Sequence, residues 1–155
     1  MRTLQSWLDE YGESHRNPTN KLIHWVCVPL IMLSALGMLW TLPRPPGFTL
    51  LGDDANWATF LILLSLIYYA MLSPRIALGM LVVSVIMCVL IRELALLPWP
   101  LLWTCIAIFA GAWIGQFIGH KIEGRKPSFF RDLQFLLIGP VWLLADAYRR
   151  MGLAY

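Results

Sequence analysis

The chain has 155 residues, of which 59% are hydrophobic and only 14% are charged, and its mean hydropathy is +0.66. A soluble globular domain typically has about 25% charged residues, so this composition excludes the ordinary soluble class and indicates an integral membrane protein. The net charge of +3 comes from 12 basic and 9 acidic residues, which is too small and too dispersed to indicate a nucleic-acid partner.

The first predicted element is an amphipathic helix at residues 1–13. Its apolar residues recur at helical spacing: Leu4, Trp7, Leu8 and Tyr11. Such a helix lies at a membrane interface or caps a helix bundle. Asn17 followed by Pro18 has the pattern of a helix N-cap and a first-turn proline. The first apolar helix is therefore predicted to begin there and to run to about Leu42, long enough to cross a hydrocarbon core of about 30 Å.

Three further apolar helices are predicted after the helix-ending PRPPG segment and a polar loop that contains Asp53 and Asp54. They cover residues 57–72, 75–91 and 100–120. Ser73-Pro74 separates the first two, and LLPWP separates the last two. With the helix that begins at Pro18, these segments predict four membrane spans.

The last apolar segment, residues 128–148, is predicted to be a broken helix. Its purely apolar part, residues 135–145, is far shorter than the ~20 residues that a span needs, and Gly139-Pro140 interrupts it. Four spans with both termini in the cytoplasm place most lysines and arginines on the cytoplasmic side, as the positive-inside rule requires. Five spans are the alternative. We expect one membrane-embedded all-α domain, residues 1–155, in a bacterial inner membrane and in contact with membrane lipids.

The three cysteines, Cys27, Cys88 and Cys105, all lie inside apolar runs. An odd number without CxxC spacing argues against a disulfide framework and against a thiolate metal site. They are predicted to be small packing residues or lipid-facing residues.

All three histidines are predicted to lie on the cytoplasmic side of the membrane, at similar depth. His15 precedes the first span, His24 lies about two turns into it, and His120 ends the fourth. Three neutral imidazoles suit a divalent transition metal such as iron or zinc. The spacing does not form a compact motif, so interfacial histidines bonded to headgroups or to backbone are the alternative.

The histidines belong to two polar stripes at helical spacing. The first stripe is formed by Asn17, Asn20, Lys21 and His24, and the second by Gln116, His120 and Glu123. Polar groups at membrane depth normally face a protein interior or a wet cavity, so the two stripes are predicted to face each other. Three glycines beside the second stripe would allow close helix approach: Gly111, Gly115 and Gly119.

The segments YGESHRNPTNKLIHWVCVPLI and WIGQFIGHKIEGRKPSFFRDLQFLLIGP resemble a family of small membrane 2-hydroxy fatty acid dioxygenases of bacteria and fungi. The motifs that carry the resemblance are H-x-N-x-x-N-x-x-x-H and Q-F-x-G-H with a nearby Glu and Pro, and the resemblance covers nearly the whole chain. The fungal member is an endoplasmic-reticulum enzyme of phytosphingosine breakdown that forms odd-numbered fatty acids. The resemblance implies an iron(II)-dependent α-oxidation, in which dioxygen is used to shorten a 2-hydroxy fatty acid by one carbon.

The resemblance also implies that His15, His24 and His120 are iron ligands. Glu123 matches approximately, because fungal members tend to have one more residue between the histidine and the glutamate. Lys21 and Glu123 are the candidate catalytic groups. The candidates for substrate binding are Arg16, Asn17, Asn20, Gln116 and Arg125.

Other roles compete with these assignments, because basic residues at a membrane surface often contact anionic lipid. Glu123 is a candidate fourth ligand or acid/base group, but its default role is a salt bridge to Lys121 or Arg125. The leading hypothesis is an iron(II)-dependent α-dioxygenase with a 2-hydroxy fatty acid and dioxygen as substrates. One alternative is a zinc-dependent membrane hydrolase, in which the same histidines activate water. The other is a lipid-binding or transport protein with structural histidines.

Overall fold

The computed structural model describes residues 3–52, 55–124 and 135–155, except for the side chains of residues 49–51. Six α-helices lie in these ranges: α1 (Leu4–Gly12), α2 (Pro18–Trp40), α3 (Trp57–Leu72), α4 (Pro74–Ala95), α5 (Leu101–Glu123) and α6 (Ile138–Arg150). A short 3-10 helix, Pro46–Leu51, lies between α2 and α3. The described part of the chain is all-helical, as predicted.

Among the described helices, α2, α4 and α5 are long and apolar enough to cross a membrane. The other predicted span, α3, is equally apolar but has only 16 residues, which at 1.5 Å per residue gives about 24 Å. Many leucine, isoleucine and valine side chains of α3 and α4 are exposed, among them Leu63, Ile67, Val82 and Val85. An apolar surface of this extent is expected of helices that face lipid.

The helix boundaries follow local signals in the sequence. The side chain of Asn17 accepts hydrogen bonds from the backbone N–H groups of Thr19 and Asn20, so the predicted N-cap of α2 is confirmed. The predicted bounds of α3 are those observed, and a capping box at Asn56 begins that helix. In contrast, α4 extends past the predicted end at Ile91, to Ala95.

The amphipathic helix α1 caps the bundle and packs against α6. Its residues Leu8 and Tyr11 are buried in a core that also contains residues of α2, α3, α4 and α6. Two positions are predicted for this helix, at the membrane interface or as a cap on the helix bundle, and the structure shows the second.

The C-terminal helix α6 is short, and its buried residues include Val141 and Trp142. Gly139-Pro140 was predicted to interrupt this segment, but the dipeptide lies in the first turn of α6, where a missing N–H breaks no intrahelical bond. The Tyr69 hydroxyl donates to the carbonyl of Leu137 at 2.8 Å and thereby ties the start of α6 to α3. The earlier part of the predicted segment, 128–134, lies outside the described residues, as do Asp53 and Asp54.

The antiparallel pair α2 and α5 makes the most extensive helix contact. A Cβ atom at Gly119 would overlap the side chain of Asn20, and one at Gly115 would overlap Cys27. The close approach predicted for these two glycines is therefore confirmed. Gly111 differs, because the space beside it is open, and its predicted role in packing is wrong.

The cysteines have the structural roles that the sequence predicts. Cys27 and Cys105 are buried and Cys88 is half-buried, all as free thiols. Cys105 of α5 packs at Gly37 of α2, and Cys27 of α2 packs at Gly115 of α5. At two points of the interface a glycine on one helix thus faces a cysteine on the other. These contacts keep the helices that carry His24 and His120 close together.

Candidate metal centre and apolar cavity

His15, His24 and His120 converge at one end of the bundle. The ring centroids of His15 and His24 are 4.2 Å apart, those of His24 and His120 are 5.2 Å apart, and those of His15 and His120 are 5.7 Å apart. One candidate ligand nitrogen from each ring lies within 4.8 Å of the other two. All three side chains are buried. The structure therefore brings together the three histidines that the sequence places at one depth.

Backbone carbonyls fix the orientation of two of the rings. Nδ1 of His15 lies 2.6 Å from the carbonyl oxygen of Tyr11, and Nδ1 of His24 lies 2.9 Å from that of Asn20. A carbonyl oxygen only accepts hydrogen bonds, so each Nδ1 carries the proton and each Nε2 carries the lone pair. Metal-ligating histidines typically donate their other ring N–H in this way. The donor set therefore fits a divalent transition metal.

Aromatic side chains from α1 and α6 hold His15, which lies in the connection between α1 and α2. The Tyr11 ring stacks on the His15 ring with a centroid distance of 4.3 Å and an interplanar angle of 13°. The Trp142 ring lies 5.4 Å from His15. Neither aromatic residue is among the predicted site residues. The spacing of four residues between Tyr11 and His15 was a signal for the first, but nothing local marks Trp142.

The carboxylate of Glu123 binds the N-terminus of α2. It accepts hydrogen bonds from the backbone N–H groups of Arg16 at 2.8 Å and Asn17 at 3.0 Å, and from Nδ2 of Asn20 at 2.9 Å. A carboxylate is favourable at this position because the first N–H groups of a helix lack intrahelical partners. In the described part of the chain Glu123 pairs with no basic side chain, so the salt bridge to Lys121 is not formed.

The other predicted site residues occupy different environments. Arg16 and Lys21 are exposed, although Lys21 was grouped with the buried Asn20 and His24 on one stripe. The side-chain oxygen of Asn17 is engaged as the N-cap of α2. Gln116 is buried on α5, and Arg125 lies outside the described residues.

An apolar cavity begins beside His24 of the histidine cluster. His24 and Gln116 contribute to its wall, and most of its other lining residues are apolar side chains of α2, α3, α4 and the start of α6. Its lining residues on α2 follow one face of that helix: His24, Val28, Ile31, Met32, Ala35 and Leu36. At 1.5 Å per residue, this face extends about 18 Å from His24 to Leu36.

Part of the cavity wall is also part of the bundle surface. Leu61, Leu136 and Leu137 line the cavity and are exposed. Apolar side chains at this surface are suited to a lipid environment. The cavity is not predictable from the sequence, because its lining consists of the same apolar residue types as a lipid-facing surface.

The amide of Gln116 is the polar group that faces this cavity from α5. Gln116 is only 5% exposed, and it makes no hydrogen bond to any residue in the described ranges. A polar side chain that lines an apolar cavity beside three convergent imidazoles is placed to bind the polar part of a ligand.

Comparison with known proteins assigns the family. Residues 1–151 match the protein family described as 2-hydroxy-palmitic acid dioxygenase Mpo1-like. The chain belongs to this family. It is also 29% identical over 154 residues to the 2-hydroxy-palmitic acid dioxygenase MPO1 of Saccharomyces cerevisiae, a match that covers 96% of this chain and 82% of the yeast protein. No solved structure matches the chain.

Membership in the Mpo1-like family agrees with the resemblance carried by the two histidine motifs. The family is one of dioxygenases, so its members are oxidoreductases. The two motifs lie on the two faces of α2 and α5 that meet at the histidine cluster, and the matched region includes every residue of that cluster.

Proposed function

We propose that this Mpo1-like protein is an iron(II)-dependent dioxygenase that shortens 2-hydroxy fatty acids by one carbon at a membrane interface. The observation that carries the proposal is the convergence of three buried histidines at one end of an apolar cavity. Family membership supplies the reaction class, and the yeast protein's name supplies the substrate class. The cavity supplies apolar surroundings for an acyl chain whose polar head lies at the histidines.

In this proposal the Nε2 atoms of His15 and His24 and a ring nitrogen of His120 would hold the metal. When bound, iron(II) supplies open coordination positions and redox chemistry with dioxygen. The carbonyls of Tyr11 and Asn20 keep the first two rings in the tautomer that can ligate. Zinc suits the same donors, and a zinc-loaded protein would instead activate water for hydrolysis.

Gln116 is proposed to contact the polar head of the substrate. Its amide group donates hydrogen bonds to a carboxylate or hydroxyl oxygen and accepts one from a hydroxyl, so it replaces part of the hydration that the head loses on burial. Arg16, Lys21 and Arg125 are proposed to attract the carboxylate by their charge. Asn17 and Asn20 are proposed to act by holding the start of α2 in place.

Glu123 is proposed to position the site. Its carboxylate already accepts hydrogen bonds from Asn20 of α2 and from the backbone N–H groups of the two residues before that helix. A group held in this way keeps α2 and α5 in register and therefore keeps His24 and His120 at a fixed separation.

The membrane orientation completes the proposal. We infer that α3 crosses the bilayer as a fourth span and that both termini lie in the cytoplasm, so that the histidines lie where the headgroup of a fatty acid lies. The bilayer is proposed to be a bacterial inner membrane. A substrate in the inner leaflet would then have its carboxylate at the histidine cluster and its tail in apolar surroundings.

The test is oxygen consumption by iron-loaded protein in nanodiscs. 2-Hydroxypalmitic acid is expected to stimulate oxygen uptake and to yield a product one carbon shorter, detected by mass spectrometry. Palmitic acid, which lacks the hydroxyl, is the matched control and is expected to give neither. Turnover of both acids at equal rates, or of neither acid by iron-loaded protein, would reject the proposal.

A further inference from the structure

We propose that the cavity between α2, α3 and α4 holds the acyl tail of the substrate, with the methyl end beside Ala35, and that Ala35 sets the longest chain accepted. This inference rests on the proposed function, and it adds a residue that determines chain length. It assigns the polar end of the cavity, at His24 and Gln116, to the head of the acid.

The dimensions of the cavity fit one acyl chain. From His24 to Leu36 the lined face of α2 measures about 18 Å, and a bilayer whose hydrocarbon core is about 30 Å thick has about 15 Å of acyl chain in each leaflet. An extended acyl chain about as long as one leaflet therefore matches the length of this lined face.

Few polar groups line the cavity away from the histidines. Besides Tyr11, the hydroxyl groups in the lining are those of Tyr69, Ser65 and Ser84. The first two donate to the backbone carbonyls of Leu137 and Leu61, respectively, so they offer no free proton to a ligand. The remaining lining is predominantly aliphatic and aromatic, which favours a hydrocarbon tail.

The deep end of the cavity is closed by a packed cluster. Leu36 lines the cavity and belongs to a buried group formed with Leu33, Ala58, Met87 and Ile91. Ile62 of α3 lines the cavity and packs against the same group. A tail that enters from His24 therefore meets a floor, and its length is limited.

Ala35 is the position at which side-chain size controls the depth. It is the smallest side chain of the lining on α2, and it lies one residue before the floor residue Leu36. A larger side chain there would occupy the space assigned to the end of the tail. It lies about 16 Å along α2 from His24, far enough to leave the metal centre undisturbed.

The experiment compares the chain-length profiles of wild type and Ala35→Leu, each loaded with iron, on 2-hydroxylauric, 2-hydroxymyristic, 2-hydroxypalmitic and 2-hydroxystearic acids. For the two longest acids, kcat/KM is expected to fall about tenfold or more, because even one methylene in an apolar pocket changes this ratio about tenfold. For 2-hydroxylauric acid it is expected to stay near the wild-type value. Equal reduction for all four acids, or no change for any, would overturn the inference.

Two further variants provide a second test and a control. Ile62→Ala widens the floor from the opposite helix and is expected to shift the preference toward 2-hydroxystearic acid, so the inference is tested even if Ala35→Leu does not fold. Ala107→Leu adds the same side chain to an exposed position on α5 and is expected to keep the wild-type profile. An Ala107→Leu profile that shortens like that of Ala35→Leu would contradict a specific role for the cavity.

A binding experiment separates failure of this inference from failure of the proposed function. A 2-hydroxy fatty acid of palmitic length with a diazirine at its methyl end is bound, photolysed and located by peptide mass spectrometry. Labelling near residues 31–36 and 61–62 that disappears in Ala35→Leu supports the tail cavity, even if the wild type consumes no oxygen and the proposed function falls. Labelling confined to exposed lipid-facing residues overturns the tail cavity, even if the enzyme is active.

Discussion

Nδ2 of Asn20 donates a hydrogen bond of 2.9 Å to the carboxylate of Glu123, which joins α2 to α5 at the histidine cluster. Asn20 lies one helical turn before His24, and Glu123 lies three residues after His120. Asn20 also offers its carbonyl oxygen to Nδ1 of His24. One residue therefore links the carboxylate of one helix to the orientation of a histidine on the other.

Removing the carboxylate is expected to weaken metal binding without removing a ligand. Glu123→Ala leaves the N–H groups of Arg16 and Asn17 and the amide of Asn20 without their acceptor, and loss of such supporting contacts typically costs 10–100-fold in metal affinity. Glu123→Gln keeps an acceptor oxygen and is expected to lie between Glu123→Ala and wild type. The measurement is competition with a chelator of known affinity, and exposed Glu93 provides the control variant Glu93→Ala. Wild-type metal affinity in Glu123→Ala would show that the hydrogen bonds of the Glu123 carboxylate do not support the metal site.

A methyl group at Gly119 is expected to separate the two helices. Gly119→Ala would place its Cβ on the side-chain oxygen of Asn20, so either Asn20 rotates away from its hydrogen bond to Glu123 or α5 moves away from α2, and metal affinity is expected to fall in both cases. Gly111→Ala is the matched control, because the space there is open and alanine is favoured over glycine in a helix by about 1 kcal/mol. Metal content and melting temperature should fall for Gly119→Ala only. Equal behaviour of both variants would indicate that the close approach at Gly119 is not needed.

Replacing the amide of Gln116 separates a binding role from a structural one. Gln116→Leu is expected to lower kcat/KM for 2-hydroxypalmitic acid about tenfold or more, because a hydrogen bond to a charged group contributes about 1.5–3 kcal/mol. The free energy of unfolding should change little, since the Gln116 side chain makes no hydrogen bond to a described residue and leucine is of similar size. Metal content should not change. A marked loss of stability with unchanged kinetics would assign Gln116 to packing.

The stack on His15 is expected to contribute modestly to metal binding. An aromatic pair contributes about 0.5–1.5 kcal/mol beyond the area it buries, so Tyr11→Leu should lower metal affinity by about threefold to tenfold. Tyr11→Phe retains the ring and should behave like wild type in chelator competition. If Tyr11→Phe is as defective as Tyr11→Leu, the hydroxyl rather than the stack is the important group.

Much of the fold follows from local sequence signals. The Asn17-Pro18 cap defines the start of α2, and apolar runs define α3, α4 and α5. The polar stripes at helical spacing predict that α2 and α5 face each other. These features are short-range, so a single sequence contains them.

Other features depend on contacts between distant segments. Nothing near Trp142 indicates that α6 folds back to contact His15, and Glu123 was expected to pair with neighbouring basic residues because its backbone partners lie more than 100 residues earlier. The cavity was not predicted, since lining a cavity and facing lipid require the same apolar residues. Gly139-Pro140 was interpreted as an interruption because the position of a helix start is not visible from the dipeptide alone.

The most direct test of a three-histidine iron site is metal analysis of anaerobically purified protein. Wild type, His15→Ala, His24→Ala and His120→Ala are compared by mass spectrometry, with size-exclusion elution as the check of folding. The account predicts stoichiometric iron in wild type and loss of iron in each variant with unchanged elution. Full iron occupancy in a folded His24→Ala variant would contradict it.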